Sequence, residues 1–209
     1  MVAVDGFTGF KTAAAEEIPT AVAVMHPFHV VELAGHALDD CRRRVQRDTF
    51  GRRGRSSDRP YGARRTLHTG EALLVDRQRE HLLRLFTNEQ RVEVEATWGI
   101  YQRMIIAYRH PDRAAGKTLM QKLIDDVTTG VPTALTEIRK LGRTLKRRTP
   151  DALAYFDRPG TSNGPTEAIN GRLVHLPGSA LGLRNPTIYT ARSLLEAGGF
   201  RPALHPHLR

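Results

Sequence analysis

The sequence contains a single cysteine, Cys41, in 209 residues. One thiol cannot form an internal disulfide or build a multi-cysteine metal cage. No apolar run approaches the roughly 20 residues that span a bilayer. The first residues also lack the basic start and apolar stretch of a signal peptide. We therefore expect a cytoplasmic protein without a membrane partner.

The composition that remains is that of a folded, basic protein. Hydrophobic residues make up 40% and charged residues 26%, which is ordinary for a globular chain. Lysine and arginine total 32 against 22 acidic residues, so the formal net charge is +10. Lysine and arginine neutralise phosphates and supply sequence-independent affinity, so the charge favours nucleic acid as the partner.

The order of apolar residues predicts an α/β fold with a helical majority. Residues 2–4 and 21–25 are short apolar strands, and residues 11–17 between them suit a short helix, which together make a parallel βαβ unit. From about residue 29 the apolar spacing becomes helical, and residues 71–146 are almost entirely helical in pattern.

Basic residues are concentrated in two segments. Between Arg42 and Arg65 there are ten arginines and two acids, and residues 51–65 are predicted to form a basic loop. A later helix carries basic residues without an acid among them on its exposed side. Both surfaces could contact phosphates or simply be solvated. The DNA-contact candidates are Arg42, Arg43, Arg44, Arg52, Arg53, Arg139, Lys140, Arg143, Lys146, Arg147 and Arg148.

Two acids and two histidines are the candidates for chemistry. Asp5 ends a strand, where α/β folds present catalytic groups, and Glu167 opens a helix after an irregular loop. Carboxylates from different elements can hold Mg²⁺, although Asp5 also suits a turn and Glu167 a helix N-terminus. His26 and His29 could form a metal pair, but a polar structural role is favoured because no companion ligands stand out.

Five strings in the sequence carry a family resemblance. They are Val2-Ala-Val-Asp-Gly-Phe7, Ile18-Pro19, Met25-His-Pro-Phe-His-Val-Val31, Thr161-Ser-Asn-Gly-Pro-Thr-Glu-Ala-Ile-Asn-Gly-Arg172 and Leu181-Gly-Leu-Arg-Asn185. Together they resemble the bacterial insertion-sequence DDE transposases of the ISL3 group over essentially the whole chain. The resemblance implies a protein that acts on DNA in the bacterial cytoplasm, in association with the nucleoid.

The resemblance implies a ribonuclease-H-like core interrupted by a large all-α insertion. It divides the chain into a partial core (1–36), a helical insertion with the arginine-rich loop (37–150), C-terminal core helices (151–198) and a loose tail (199–209). Asp5 matches the family's second catalytic aspartate and Glu167 its terminal glutamate. These acids would hold Mg²⁺ or Mn²⁺, with His26, His29, Asn163 and Asn170 near the site.

Two departures from the family pattern bear on activity. The family's first catalytic aspartate is expected upstream of Asp5, and His26 stands where the family usually has Asp or Cys. We therefore expect a C-terminal transposase fragment that binds transposon ends but lacks strand cleavage and transfer. The alternatives are a non-catalytic basic DNA-binding module and a helical module that self-associates or pairs with an intact transposase.

Overall fold

The computed structural model describes residues 2–4, 12, 15–52, 54–158, 160–161, 164, 168, 171–173 and 185–197. It divides the chain into two units, residues 1–161 and 162–209. Each unit is described by itself.

The first unit begins with two short strands, β1 (Val2–Val4) and β2 (Ala23–Met25). They pair in parallel, with Val4 opposite Met25, as the sequence predicts. Val24 and Met25 are buried, so β2 contributes to the core. Residues 15–17, between the strands, are helical. Parallel pairing brings the carboxyl ends of both strands to the same edge of the sheet.

The longest helix, α1 (Pro27–Phe50), follows β2 directly. Its first turn contains Pro27, whose missing N–H needs no partner there. Its C-cap is Gly51, which has φ of 64° and donates its N–H to the Arg47 carbonyl at 2.7 Å. Left-handed backbone of this kind is least strained at glycine. The buried face repeats every three or four residues and includes Val30, Ala34, Leu38, Cys41 and Val45.

The other helices confirm the predicted helical majority. Two short 3₁₀ helices, Glu71–Leu73 and Glu89–Arg91, lie between them. The first unit holds α2 (Arg59–Gly62), α3 (Arg64–Leu67), α4 (Asp76–Phe86), α5 (Val92–Arg109), α6 (Arg113–Thr128) and α7 (Thr136–Asp157), and the second unit holds α8 (Pro186–Ala197).

The loop predicted over residues 51–65 is wrong in part, because α2 and the first half of α3 lie within it. The side chain of Asp58 accepts the backbone N–H of Arg55 at 2.7 Å and closes the turn before α2. Pro60 then lies in the first helical turn, where proline is well tolerated. Proline and glycine therefore delimit short helices here instead of preventing them.

Helix α7 continues through Pro150, where a helix would be expected to kink or end. Proline cannot donate an N–H to the carbonyl four residues earlier, which belongs to Lys146. The hydroxyl of Thr149 lies 3.1 Å from this carbonyl oxygen and 3.0 Å from that of Leu145, so its hydrogen is within reach of the acceptor that proline leaves open. The expected domain boundary at residue 150 falls within α7, and the one at residue 36 falls within α1.

The core of the first unit lies where α1, α5, α6 and α7 pack together. Among its fully buried side chains are Leu38, Met104, Met120, Leu123 and Leu145. None of the described helices is long and apolar enough to cross a membrane.

Glycine sets the distance of two helix crossings in this unit. A Cβ on Gly116 would lie 2.6 Å from the Ala107 carbonyl oxygen, and one on Gly142 would lie 2.0 Å from the Val127 carbonyl oxygen. Both distances are shorter than van der Waals contact, and the atoms contacted belong to backbone. Helix α6 can therefore approach α5 and α7 this closely only because both positions lack a side chain.

Candidate nucleic-acid interface

The two acids predicted to be catalytic are Asp5 and Glu167. Asp5, Asn163, Glu167 and Asn170, and the DNA-contact candidate Arg53, lie outside the described residues. The roles predicted for them stay predictions.

His26 and His29 lie at the start of α1. His26 is the N-cap residue, and its Nδ1 accepts the backbone N–H of Phe28 at 3.3 Å. The Nδ1 of His29 lies 3.6 Å from a Glu32 carboxylate oxygen. No group of three or more His, Cys, Asp or Glu that could hold a metal occurs within the described ranges. The contacts of His26 are those of a helix cap, which favours its structural interpretation.

Four of the ten arginines in the first basic segment are engaged with acids: Arg42, Arg43, Arg44 and Arg52. Arg42 is buried; its guanidinium donates to Asp39 at 2.9 Å and to the Gln46 side-chain oxygen at 2.6 Å. Arg43 is exposed but lies 3.3 Å from Asp40 and 3.4 Å from Asp39. Arg42 and Arg43, together with His68, lower the pKa of Asp39 against the opposing effect of its burial.

Arg44 connects three helices of the core unit. From α1, its guanidinium donates to Glu137 of α7 at 2.8 and 3.0 Å, and also to Glu93 of α5. It further donates to the Ala134 carbonyl oxygen at 3.2 Å. The hydrogen bonds to Glu137 and then Glu93 raise the pKa of Arg44. Arg44 therefore acts as an internal structural cation.

Cys41 faces the same core. It is fully buried, and burial raises the pKa of its thiol to about 11. The thiol is therefore protonated at neutral pH, and a protonated thiol is a poor nucleophile and metal ligand.

Arg52 forms a bidentate ion pair with Asp58. Its two terminal nitrogens donate to the Asp58 carboxylate at 2.8 and 3.1 Å. The guanidinium carbon also lies 5.5 Å from the centre of the Phe50 ring. This geometry positions the turn that follows α1.

The sequence could have predicted some of these acid–arginine pairs but not others. Asp39 and Asp40 precede Arg42 and Arg43 by three or four residues, the spacing of side chains that meet on a helix. The two acids counted between Arg42 and Arg65 do not include Asp39 and Asp40, because both of these precede Arg42. Glu93 and Glu137 are 49 and 93 residues from Arg44, and no local signal indicates that they pair with it.

In the second basic segment, the prediction that all six cations lie on the exposed side of the helix is wrong for Arg148 and holds for the other five. Arg148 is buried and lies 3.5 Å from Asp151, but the other five basic side chains are exposed and have no ion pair or hydrogen bond to a described residue. We call these five the α7 cationic face: Arg139, Lys140, Arg143, Lys146 and Arg147.

A shallow groove runs along the α7 cationic face. It has a volume of about 370 Å³ and lies between α7 and the end of α6. Arg139, Arg143 and Lys146 line one side, and Val127 and Thr128 of α6 belong to the other. None of the described residues that line this groove is acidic. An anion in the groove would therefore meet three cations and no carboxylate.

The fold and this surface define a mainly helical protein, built next to a small parallel sheet, with an uncompensated cationic helix face. The family model described as a transposase, of the ISL3 DDE group, matches residues 1–193. The chain therefore belongs to the ISL3 family of transposases, as the motifs of the sequence indicate.

Two curated relatives are similar over almost the whole chain. Both are the transposase for insertion sequence element IS1557 of Mycobacterium tuberculosis, from strains CDC 1551 / Oshkosh and ATCC 25618 / H37Rv. Each is 26% identical over 234 aligned positions that cover 99% of this chain and 51% of the relative. The chain spans about half the length of these relatives. No solved structure matches it.

Proposed function

We propose that this chain is the DNA-contacting part of an ISL3-type transposase and that it holds transposon-end DNA through the α7 cationic face. The observation that carries the proposal is that five exposed cations share one face of α7, next to a groove whose lining holds no acid. Arg42, Arg44 and Arg52 are held by acids of the chain, whereas the five cations of α7 are exposed and have no partner among the described residues. Free cations on one face are the electrostatic footprint of a phosphate-binding surface.

The spacing of this face matches a phosphate backbone. Arg139, Arg143 and Lys146 form one row along α7, and Lys140 and Arg147 form a neighbouring row. A helix rises about 1.5 Å per residue, so the first row extends over about 10 Å. Phosphates of one DNA strand advance about 3.4 Å along the duplex axis, so the row can follow about three of them. The absence of acids from the lining of the groove keeps this contact favourable.

We further propose that the parallel strands β1 and β2 belong to a ribonuclease-H-like core. Parallel pairing brings the carboxyl ends of β1 and β2 to one edge, the edge at which α/β folds present catalytic groups. Asp5 directly follows β1 in the sequence and would contribute one carboxylate, and Glu167 would contribute another. Carboxylate oxygens are the ligands that Mg²⁺ prefers. When bound, such ions stabilise the attacking and leaving oxygens of a phosphodiester exchange.

The DNA contact is tested by neutralising the first row of the face. We expect Arg139→Gln/Arg143→Gln/Lys146→Gln to weaken binding of a fluorescein-labelled 25-base-pair duplex by about 100-fold at low salt, from roughly 1 kcal/mol per lost contact. The slope of log K against log salt concentration should fall by about 3, because about 0.9 counterion is released per phosphate neutralised. Fluorescence anisotropy over a salt series measures both quantities.

The control removes the same charge elsewhere. Arg77→Gln/Arg113→Gln/Lys122→Gln also neutralises three exposed cations, on α4 and α6, that have no ion pair with a described residue. We expect this variant to lose less than fivefold in affinity and to keep most of the salt slope. Equal losses in the two variants would show that net charge, and not the α7 cationic face, determines binding.

We expect the 209-residue chain to bind DNA without cutting it. Asp5 and Glu167 match two of the family's three catalytic acids, and two carboxylates do not complete a three-acid metal centre. A nicking assay on supercoiled plasmid carrying a transposon end, with Mg²⁺ or Mn²⁺, is the measurement. Cleavage by the chain that disappears in Glu167→Gln would contradict this expectation. Self-association and pairing with an intact transposase also stay predictions.

A further inference from the structure

A second binding surface lies along α1, on residues that the α7 cationic face does not use. We call it the α1–α5 groove; it has a volume of about 690 Å³ and is lined mainly by apolar and aromatic side chains. Phe28 and Leu73 in its lining are 61% and 60% exposed, whereas Tyr101 is buried. Tyr155 also lines it and is half-buried. Exposed apolar side chains around an aromatic groove indicate a site for a flat, apolar ligand.

Polar groups in the same groove add hydrogen-bonding capacity. The Nε2 of His68 lies 3.6 Å from Asp39, and the Nε2 of His36 lies 3.9 Å from Glu32. The two carboxylates can accept hydrogen bonds from N–H groups of a ligand, such as the ring N–H of thymine, but they repel phosphate. The groove therefore suits the base of a nucleotide better than its backbone.

The groove continues into a cationic cavity of about 510 Å³. The two share Asp39 and His68 in their linings, and Arg42, Arg43, Arg64 and Arg65 line the cavity. Four arginines thus line the cavity beside one carboxylate, but Arg42 and Arg43 already pair with that carboxylate, and Arg64 donates to the Tyr61 carbonyl oxygen at 3.0 Å. Arg65 is exposed and has no side-chain partner in the described part of the chain. A phosphate would be attracted to this cavity more strongly than to the groove, whose lining holds two carboxylates and one arginine, Arg109.

We propose that the groove and the cavity together bind one unpaired nucleotide of a DNA strand, with its base in the groove and its phosphate in the arginine cavity. A base inside a duplex is stacked on both faces and paired along its edge, so it can enter the groove only from single-stranded or locally opened DNA. Aromatic platforms beside a cationic track are the means by which proteins bind single strands. The proposal rests on DNA binding by the chain but uses a surface separate from the α7 cationic face.

The test compares single-stranded with duplex DNA. A labelled 15-nucleotide oligo(dT), which forms no secondary structure, and a 15-base-pair duplex are titrated with the 209-residue chain in fluorescence anisotropy. We expect Phe28→Ala/Leu73→Ala to lose about tenfold in affinity for oligo(dT), within the range of a lost base-stacking contact. Affinity for the duplex should stay within twofold, because its bases do not reach the groove.

Matched controls keep the outcome interpretable. Leu83 is 67% exposed on α4, so Leu83→Ala removes an equally exposed leucine outside the groove and should leave both affinities unchanged. Arg65→Ala should weaken oligo(dT) binding about fivefold, because it removes a contact to the phosphate. Arg77→Ala should leave this affinity unchanged. Thermal melting checks that each variant is folded.

Three results would overturn the proposal. They are unchanged oligo(dT) affinity in the folded double variant, equal losses for oligo(dT) and duplex, and displacement of oligo(dT) by thymidine monophosphate at concentrations near the oligonucleotide's Kd. The last would identify a free nucleotide as the ligand. The proposal that the α7 cationic face binds DNA is tested separately, by the duplex affinity of Arg139→Gln/Arg143→Gln/Lys146→Gln.

Discussion

Gly142→Ala is expected to lower the free energy of unfolding by about 3 kcal/mol, at the upper end of ordinary overpacking effects. The new methyl carbon would lie 2.0 Å from the Val127 carbonyl oxygen and 2.9 Å from its carbonyl carbon. Both atoms are backbone, so no side chain can rotate away and α6 must shift from α7. Urea denaturation followed by circular dichroism measures the change.

The control for Gly142→Ala is the same substitution in α5. A Cβ on Gly99 has no atom within 4 Å, so Gly99→Ala should stabilise the protein by about 0.5 kcal/mol through helix propensity alone. A neutral or stabilising Gly142→Ala would show that the α6–α7 approach is looser than the structure indicates.

The same contact bears on the proposed DNA surface. Val127 lies in the groove that Arg139, Arg143 and Lys146 line, so the position of α6 determines the shape of that groove. We therefore expect Gly142→Ala to weaken duplex binding even under conditions in which the variant is fully folded. Gly99→Ala should not change the affinity.

Arg44→Met is expected to lower the free energy of unfolding by about 3 kcal/mol and the melting temperature by roughly 6 °C, because it leaves two partly buried carboxylates without their cation. Arg44 joins α1 to Glu93 on α5 and Glu137 on α7. Methionine keeps much of the volume of the side chain, so the effect isolates the lost charge. Differential scanning calorimetry at pH 7 measures it.

The pH dependence provides a second readout of this cluster. Burial opposes ionisation of Glu137, but the hydrogen bonds and charge of Arg44 outweigh it, so the pKa of Glu137 lies below its usual 4.5. A lowered pKa contributes stability that is fully present above pH 4.5 and is lost as the pH falls through the folded-state pKa. The difference between wild type and Arg44→Met should therefore shrink as the pH falls from 5 to 3.

The control for Arg44→Met is Arg43→Met. Arg43 is 59% exposed and pairs with acids only on its own helix, so this substitution should change stability by less than about 0.5 kcal/mol. Equal effects at positions 43 and 44, or a difference that does not change with pH, would contradict the structural role of Arg44.

Local sequence patterns predicted much of the fold and one of the two basic surfaces. The Val-Ala-Val and Ala-Val-Met runs became the paired strands, and the apolar spacing from Val94 to Tyr108 became most of α5. The α7 cationic face was also predictable, because acids are absent among the basic residues that form it. The prediction of a loop over residues 51–65 failed in part because short helices depend on turns such as that of Asp58.

By itself, the sequence determined the family, the helical majority, the parallel pair of strands and the excess of positive charge. These depend on motifs, periodicity and composition, which are properties of neighbouring residues. Only the tertiary structure decided which cations pair with distant acids, because Arg44 meets Glu93 and Glu137 only after α1, α5 and α7 have packed together. The strength of an ion pair depends on the distance between the two charges in the folded protein, and the sequence gives only their separation along the chain.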